Sequence, residues 1–409
     1  MSLLEHFEYT SAGESHGKGA LAVVEGVPAG VPLEPYDIAL HLARRQMGYG
    51  RGGRMEIEED EGEILSGVRL GETLGSPLTI WIGNEDYENW RTAMSTEPQP
   101  DADDGDLRRV VLPRPGHADL VGVLKYDRRD ARDILERSSA RETAARVAAG
   151  SVARQLLAEF GVSIGSHVTK LGGIEADRPD ELPEDLNEAA DESPTRCLDP
   201  EATEKMIRAV DDAGSVGDTL GGVFEVVARG VPLGLGSHVA WDRRLDGRLA
   251  GAMMSIQAQK GVEIGMGFEV AEHRGSDVHD EIEYAPERRR AGGFRRRRNN
   301  MGGTEGGMTT GEPLVARVAM KPLSSLQRPL DSVDLTSLEK AKAERERSDV
   351  SAVPAAGVVG ESMMALVLAD AMVEKFGGDS LSEMKDNYEA HLERINRHDF
   401  EQRARERGD

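Results

Sequence analysis

Two glycines bracket a Glu-Ser-His triplet in Gly13-Glu14-Ser15-His16-Gly17. Glycine tolerates backbone angles closed to other residues, so a turn of this kind can aim a side chain into a cavity. Histidine is the natural proton donor near neutral pH, although a turn carrying a solvent-facing His16 explains the pentapeptide equally well. A second histidine lies in Arg114-Pro115-Gly116-His117-Ala118-Asp119. There His117 could donate a proton, or Asp119 could simply cap the next element, which is the plainer reading. In Glu136-Arg137-Ser138-Ser139-Ala140-Arg141-Glu142-Thr143, Ser139 and Glu142 have capping-box spacing and predict a helix start. Free amides, hydroxyls and Arg137 at such an end make an anion site. A plain cap accounts for Ser139 and Glu142 but leaves Arg137 and Arg141 beside a positive dipole end, a conflict that an anionic ligand would relieve. Between Asn299 and Ser325, two Gly pairs around Thr304-Glu305 let backbone approach a flat ligand, and Lys321 with Ser324 and Ser325 could hold phosphate. The same Lys-Pro-Leu-Ser-Ser run is equally a strand end and a turn. The last cluster is Arg347-Ser348-Asp349-Val350, with Pro354 placed to begin a helix and Glu361 following. By itself it reads as a surface ion pair, worth little.

The elements that must position these residues follow from apolar patterning. Strands are expected at Ala20–Val24, Glu63–Val68, Leu78–Ile82, Gly222–Val231 and Pro313–Met320. Helices are expected at Tyr36–Met47, Glu136–Phe160, Arg243–Gly261 and Pro354–Phe376, with a charged amphipathic helix after Leu381. Asn84–Arg114 is a long polar connection, of the length that is uncommon unless functional or mobile, and Ile174–Pro200 is an acidic loop with short helices. The irregular alternation points to α/β without a simple doubly wound order. Gly48–Gly53 formally matches GxGxxG but follows a helix, so it is no dinucleotide fingerprint and the fold is not a Rossmann one. One domain is expected over residues 1–409, with 379–409 as a charged helical tail.

Composition narrows the partners. The net charge is −24, from 74 acidic against 50 basic residues, which disfavours nucleic acid and anionic membranes. So acidic a surface suits high salt, where screening relieves self-repulsion; an unfolding midpoint unchanged between low and molar salt would argue against that origin. The single Cys197 excludes an internal disulfide framework, and the first ten residues are neither a secretory signal nor an Arg-rich presequence. A cytoplasmic location is expected. Scattered histidines, with no HExxH and no paired cysteines, give no metal site. The basic runs Arg288–Arg290 and Arg295–Arg298 read as a solvated, mobile loop or as a contact for an acidic neighbouring subunit.

Taken together, GESHG, RPGHAD, ERSSARETAARVAAG, GGTEGGMTTGEP with MKPLSS, and RSDVSAVPAAGVVGE resemble the chorismate synthase family in order and spacing; ARRQMGYGRGGRM and EILSGVRLGETLGSP also resemble its segments. The resemblance runs from about Tyr9 to about Gly378. It implies a sandwich of antiparallel sheets around central helices, assembled as a homotetramer, and a lyase of aromatic amino-acid (shikimate pathway) biosynthesis. The implied reaction is anti 1,4-elimination of phosphate from 5-enolpyruvylshikimate 3-phosphate to give chorismate. It requires reduced FMN without net redox change, with NADPH as a reductant the family admits. By resemblance, His16 protonates the departing phosphate, His117 serves the reduced flavin, Asp349 accepts the C6 proton through the flavin N5 region, and Ser15 and Ser139 assist. Flavin contacts carry over to Arg137, Ser138, Ser139, Gln257, Ala258, Gly306, Lys321, Pro322, Leu323, Ser324, Ser325 and Arg347, and NADPH or substrate-anion contacts to Arg45 and Arg51. Arginine suits such groups because it binds phosphate and carboxylate bidentately. The chain departs from the family pattern at Ala20, at Met301 and in the longer, more basic Arg288–Arg298 segment. The competing readings are an NADPH-dependent flavin reductase, which would need Arg45 and Arg51 but not His16 or Asp349, and an RNA-binding protein using Phe294–Arg298. The acidity and the scarcity of aromatic residues count against the latter.

Overall fold

Alternating burial makes the strands of the first sheet. Ala20, Ala22 and Val24 turn inward from one strand, and Leu78, Ile80 and Ile82 from another, while their neighbours stay partly exposed. The computed structural model describes residues 3–51, 60–179, 181–346 and 349–398. This sheet contains β1 (Glu8–Gly13), β2 (Gly19–Glu25), β3 (Glu63–Ser66) and, beyond a small ribbon of β4 (Val68–Arg69) and β5 (Glu72–Thr73), β6 (Leu78–Gly83). The order is β1-β2-β6-β3, antiparallel throughout. The second sheet holds β7 (Ser163–Leu171), β8 (Ile174–Glu175), β9 (Gly222–Arg229), β10 (Gln259–Ile264) and, past the hairpins β11 (Ile282–Tyr284)–β12 (Phe294–Arg296) and β13 (Thr304–Glu305)–β14 (Met308–Thr309), β15 (Leu314–Met320). Its order is β10-β15-β9-β7-β8, again antiparallel. A last hairpin joins β16 (Asp331–Val333) to β17 (Lys340–Lys342).

The helices in chain order are α1 (Pro35–Gln46), α2 (Asp119–Lys125), α3 (Arg132–Ser138), α4 (Thr143–Ala158), α5 (Leu186–Asp191), α6 (Pro200–Ser215), α7 (Leu245–Met254), α8 (Gly275–Val278), α9 (Val353–Phe376) and α10 (Leu381–Ile395). Helices α4 and α9 pack on each other between the sheets, α4 against β2 and β6, α9 against β7 and β9. The result is the expected sandwich of antiparallel sheets around central helices. The helices approach closely: a Cβ on Gly150 would lie 2.4 Å from the Ser362 Cβ. By length and composition α9 could cross a membrane, but 94% of its most apolar stretch is buried inside the protein. Pro354 opens it and Gly377, at φ 59°, ends it.

The structure departs from the sequence reading in several places. The expected helix Glu136–Phe160 is broken at Ser139, whose backbone is extended; a 3-10 turn over Ala140–Glu142 then leads into α4. The expected helix Arg243–Gly261 stops at Met254, and Gln259 starts β10. Strand β7 lacks the alternation that marks a half-buried strand: Gly165 faces Leu186 of α5 and Ser166 faces Gly357 of α9, so both sides are covered. The basic segment is an ordered hairpin. Arg295 and Arg297 pair with Glu283, Arg297 also with Glu281, Arg296 with Glu305 and Arg288 with Glu312.

Glu361, on α9, is fully buried and meets Arg44, Arg154 and Arg196, with Ser166 donating a further hydrogen bond. Burial alone would raise its carboxyl, but the three guanidiniums win and hold it well below the ordinary range. A carboxyl depressed on folding contributes stability above its unfolded value near 4.5, and that contribution is lost as pH falls through the folded value. Glu361→Gln should therefore lose about 3–5 kcal/mol at pH 7. Urea unfolding should show the gap between wild type and variant narrowing as the pH drops below about 4.5.

Candidate active site

The β1–β2 hairpin presents the first histidine. Gly13 ends β1 and Gly19 begins β2, leaving Glu14–Lys18 as the connecting loop. At φ 104°, Gly13 has no room for a Cβ, which would sit 2.2 Å from the Gly19 carbonyl. Asn84, buried at the end of β6, clamps this loop by donating to the carbonyls of Glu14, Ser15 and Gly17 at 3.1, 3.2 and 2.7 Å. The Glu136 carboxylate accepts from the His16 main-chain N–H and from the ring Nδ1, both at 2.8 Å. A carboxylate is acceptor-only, so Nδ1 carries the proton. Burial would raise Glu136, but the hydrogen bonds from His16 and Arg132 hold it below the usual carboxylate range. The His16 ring stacks on Trp90, with centroids 3.8 Å apart and planes at 24°. The long polar connection therefore folds back over the histidine; Arg108 covers the Trp90 ring at 3.9 Å. Beside it the Ser15 hydroxyl donates to Ser139 at 3.1 Å.

His117 is held by a second frame. A small apolar cluster of Val110, Val123, Ala131 and Leu135 ties its segment to α2 and α3. Asp119 accepts from the His117 Nδ1 at 2.5 Å and from Arg114 Nε at 2.8 Å. Burial would push Asp119 up, but His117 and Arg114 bring it far down. Arg114 also donates to the Ser325 hydroxyl at 2.8 Å, joining this frame to the Lys321–Ser325 run. Main-chain bonds from Leu335 to Val111 and from Glu344 to Leu112 lay the β16–β17 segment along the same strip.

Asp349 reaches the site from the far end of that segment. Its carboxylate pairs with Arg51 at 2.8 Å. Three residues earlier, Glu346 pairs with Arg132 at 3.0 Å, and Arg132 reaches Glu136 at 3.1 Å. On the other side, Val350 accepts from the Leu220 N–H, and the neighbouring Thr219 hydroxyl donates to the Leu323 carbonyl at 2.7 Å. His16 and His117 are each braced by a buried carboxylate, and Asp349 lies three positions after Glu346, which contacts Arg132. Arg347 lies outside the described residues, as do Gly52 and Gly53 of the glycine-rich run.

Arg137 sits in the last turn of α3, where a cation complements the dipole, so the expected conflict with a helix N-terminus does not arise there. It donates to the Ser11 and Gly13 carbonyls and to the Ser11 hydroxyl. Ser138 bonds back to Ile134, and Ser139 caps the 3-10 turn by accepting from Arg141. Glu142 does not close the capping box; it binds Ser11, Arg146 and Gln257. Ala258, in the left-handed region at φ 68°, accepts from the Lys321 N–H. Burial and the neighbouring Lys260 hold the Lys321 ammonium below its ordinary value. Arg45 is buried and, with Arg141, pairs with Asp60. Gly306 stands apart. It is an exposed turn residue at the β13–β14 tip, which packs at the start of α7, whereas Gln257 follows its end, about 15 Å along the axis.

Comparison with known proteins decides what this arrangement is. The chorismate synthase family model matches residues 7–373. The chain belongs to the chorismate synthase family. Its relatives include the chorismate synthases of Desulforudis audaxviator, 57% identical over 95% of this chain and 97% of the relative, and of Aquifex aeolicus, 52% identical over 96% and 99%. A crystal structure of chorismate synthase superposes with a TM-score of 0.77 at 44% identity, covering 96% of this chain and 99% of that one. The enzyme is a lyase that eliminates phosphate from 5-enolpyruvylshikimate 3-phosphate to form chorismate, in aromatic amino-acid biosynthesis.

For a chorismate synthase the geometry offers a loop histidine with a fixed Nδ1–H, a second histidine braced by an acid, and a carboxylate on a separate segment. Glu136 and Arg114 stood inside recognised motifs without an assigned role, while Asn84 and Trp90 carried no signal. Their partners lie 67–70 and 74 positions away in sequence, a separation that no local spacing encodes.

Proposed function

We propose that this chorismate synthase works with reduced FMN held by the wall of Arg137–Ser139, Gln257–Ala258 and Lys321–Ser325. Two observations favour the fit. The amide oxygens of Gln257 and Gln259 are buried with no donor among the described residues, which suits a planar ligand with N–H groups at its edge. The Lys321 ammonium lies near Lys260 and, among the described contacts, donates only to the Pro322 carbonyl, which suits a phosphate. When bound, reduced FMN supplies transient electron donation to the substrate, with no net redox change. His16 delivers a proton to the departing phosphate, and Ser15 with Ser139 completes a hydroxyl path beside it. His117, braced by Asp119 and Arg114, serves the flavin. Asp349 accepts the C6 proton, with Arg51 holding its carboxylate. Excluding water from so charged a site strengthens each contact. The reading rests most on the linkage of His16 through Glu136 and Arg132 to Glu346, three residues before Asp349. In the same reading the chain is one domain, works in the cytoplasm as a homotetramer, and binds neither nucleic acid nor membrane.

An anaerobic assay tests the cofactor. With dithionite-reduced FMN, chorismate and phosphate should appear in equal amounts, and omitting the flavin should drop both to background. Product from NADPH with oxidised FMN would assign the reductant to NADPH. Equal turnover without any flavin would overturn the proposal.

A further inference from the structure

We propose that Glu136 is the positioning residue for His16, an inference that rests on the proton-donor reading above. One carboxylate holds the histidine at two points. Oε2 accepts from the main-chain N–H and Oε1 from Nδ1, each at 2.8 Å, so both the loop and the ring plane refer to α3. The carboxylate is itself buried and held by Arg132 at 3.1 Å from the same helix. Arg132 is fixed from the other side by Glu346 at 3.0 Å and donates to the Arg108 carbonyl at 2.6 Å. The Trp90 ring, stacked at 3.8 Å, limits the remaining rotation of the imidazole, and its indole N–H is tied to Asp86 at 2.9 Å. Among the described residues, the charged groups around His16 include Glu136 and Arg132 from α3, Arg108 over Trp90, and Glu346 beyond Arg132.

The chemical consequence follows from the ring. With Nδ1–H committed to a carboxylate, Nε2 is the nitrogen that carries the transferred proton, and the ionised Glu136 stabilises the imidazolium before the transfer. Orientation and charge come from one side chain that contacts neither substrate nor cofactor in this reading. Such a residue changes turnover through the histidine alone. A residue that merely supports the fold would act whether or not the histidine is present.

A double-mutant cycle separates the two. His16→Ala, Glu136→Gln and the double variant are assayed anaerobically with dithionite-reduced FMN, with thermal unfolding run alongside. Glu136→Gln should lower kcat about 10- to 100-fold while KM for 5-enolpyruvylshikimate 3-phosphate changes less than about threefold. In the His16→Ala background the same change should cost less than about twofold, because the ring that the carboxylate orients is already gone. An equal cost in both backgrounds would overturn the positioning role and leave the proton-donor reading intact. Near-native turnover of His16→Ala alone would remove the reading itself. If Glu136→Gln is too unstable to purify, Glu136→Asp runs the same cycle; it keeps the charge beside Arg132 and withdraws the carboxylate by one methylene.

Discussion

His16→Ala is expected to lower turnover with fully reduced FMN by about 10²- to 10⁴-fold, the usual worth of a positioned general acid. That corresponds to about 3–5.5 kcal/mol of transition-state stabilisation. The loss should be one of chemistry and not of folding. The Glu14–Lys18 loop is anchored by Asn84 through main-chain carbonyls, and the Ser15 N–H donates to the Glu136 carbonyl; neither contact uses the imidazole. Glu136 keeps Arg132 as its partner when the ring is removed. KM and the unfolding midpoint should therefore move little while kcat falls. Phosphate release followed anaerobically measures the effect directly, and near-native turnover would take His16 out of the proton path.

Asp349→Asn should produce a loss of similar size, about 10²- to 10³-fold in kcat, by a different route. Asparagine keeps the shape and can hydrogen-bond, but it cannot take up a proton, and it leaves Arg51 without the carboxylate now 2.8 Å away. If Asp349 is the base, removing it slows C6–H cleavage specifically. A substrate deuterated at C6 should then show a larger isotope effect in the variant than in the wild type. A slow variant with an unchanged isotope effect would point to a positional role for the Arg51 pair, and a fast one would exclude Asp349 as the base.

These two residues also show how far the sequence could be read. The glycine-flanked His16 and the Arg-Ser-Asp run around Asp349 stood out because local composition marks a turn and a helix start. What lies between them is set by tertiary packing: the β16–β17 segment runs along residues 110–113, and Arg132 bridges Glu136 to Glu346. The central helix α9 was plain from its continuous apolar run. By contrast β7 was hidden by burial on both faces, and the break at Ser139 by a helical pattern that continues across it. Two arginines that suggested ligand contacts are occupied within the protein: Arg45 and Arg141 share Asp60. Charge counts in a sequence cannot separate a guanidinium that binds ligand from one that holds a catalytic acid in place. Among the described candidate cations, Arg137 and Lys321 are bonded mainly to carbonyls.

The most direct test is a crystal structure with FMN and 5-enolpyruvylshikimate 3-phosphate bound together. An anti elimination removes the proton and the phosphate from opposite faces of the ring. His16 Nε2 should therefore lie about 3 Å from the phosphate-ester oxygen, with the Asp349 carboxylate on the opposite, C6 side. A substrate seated with its ester oxygen more than about 6 Å from His16, or with His16 and Asp349 on the same face, would contradict the assignment of donor and base.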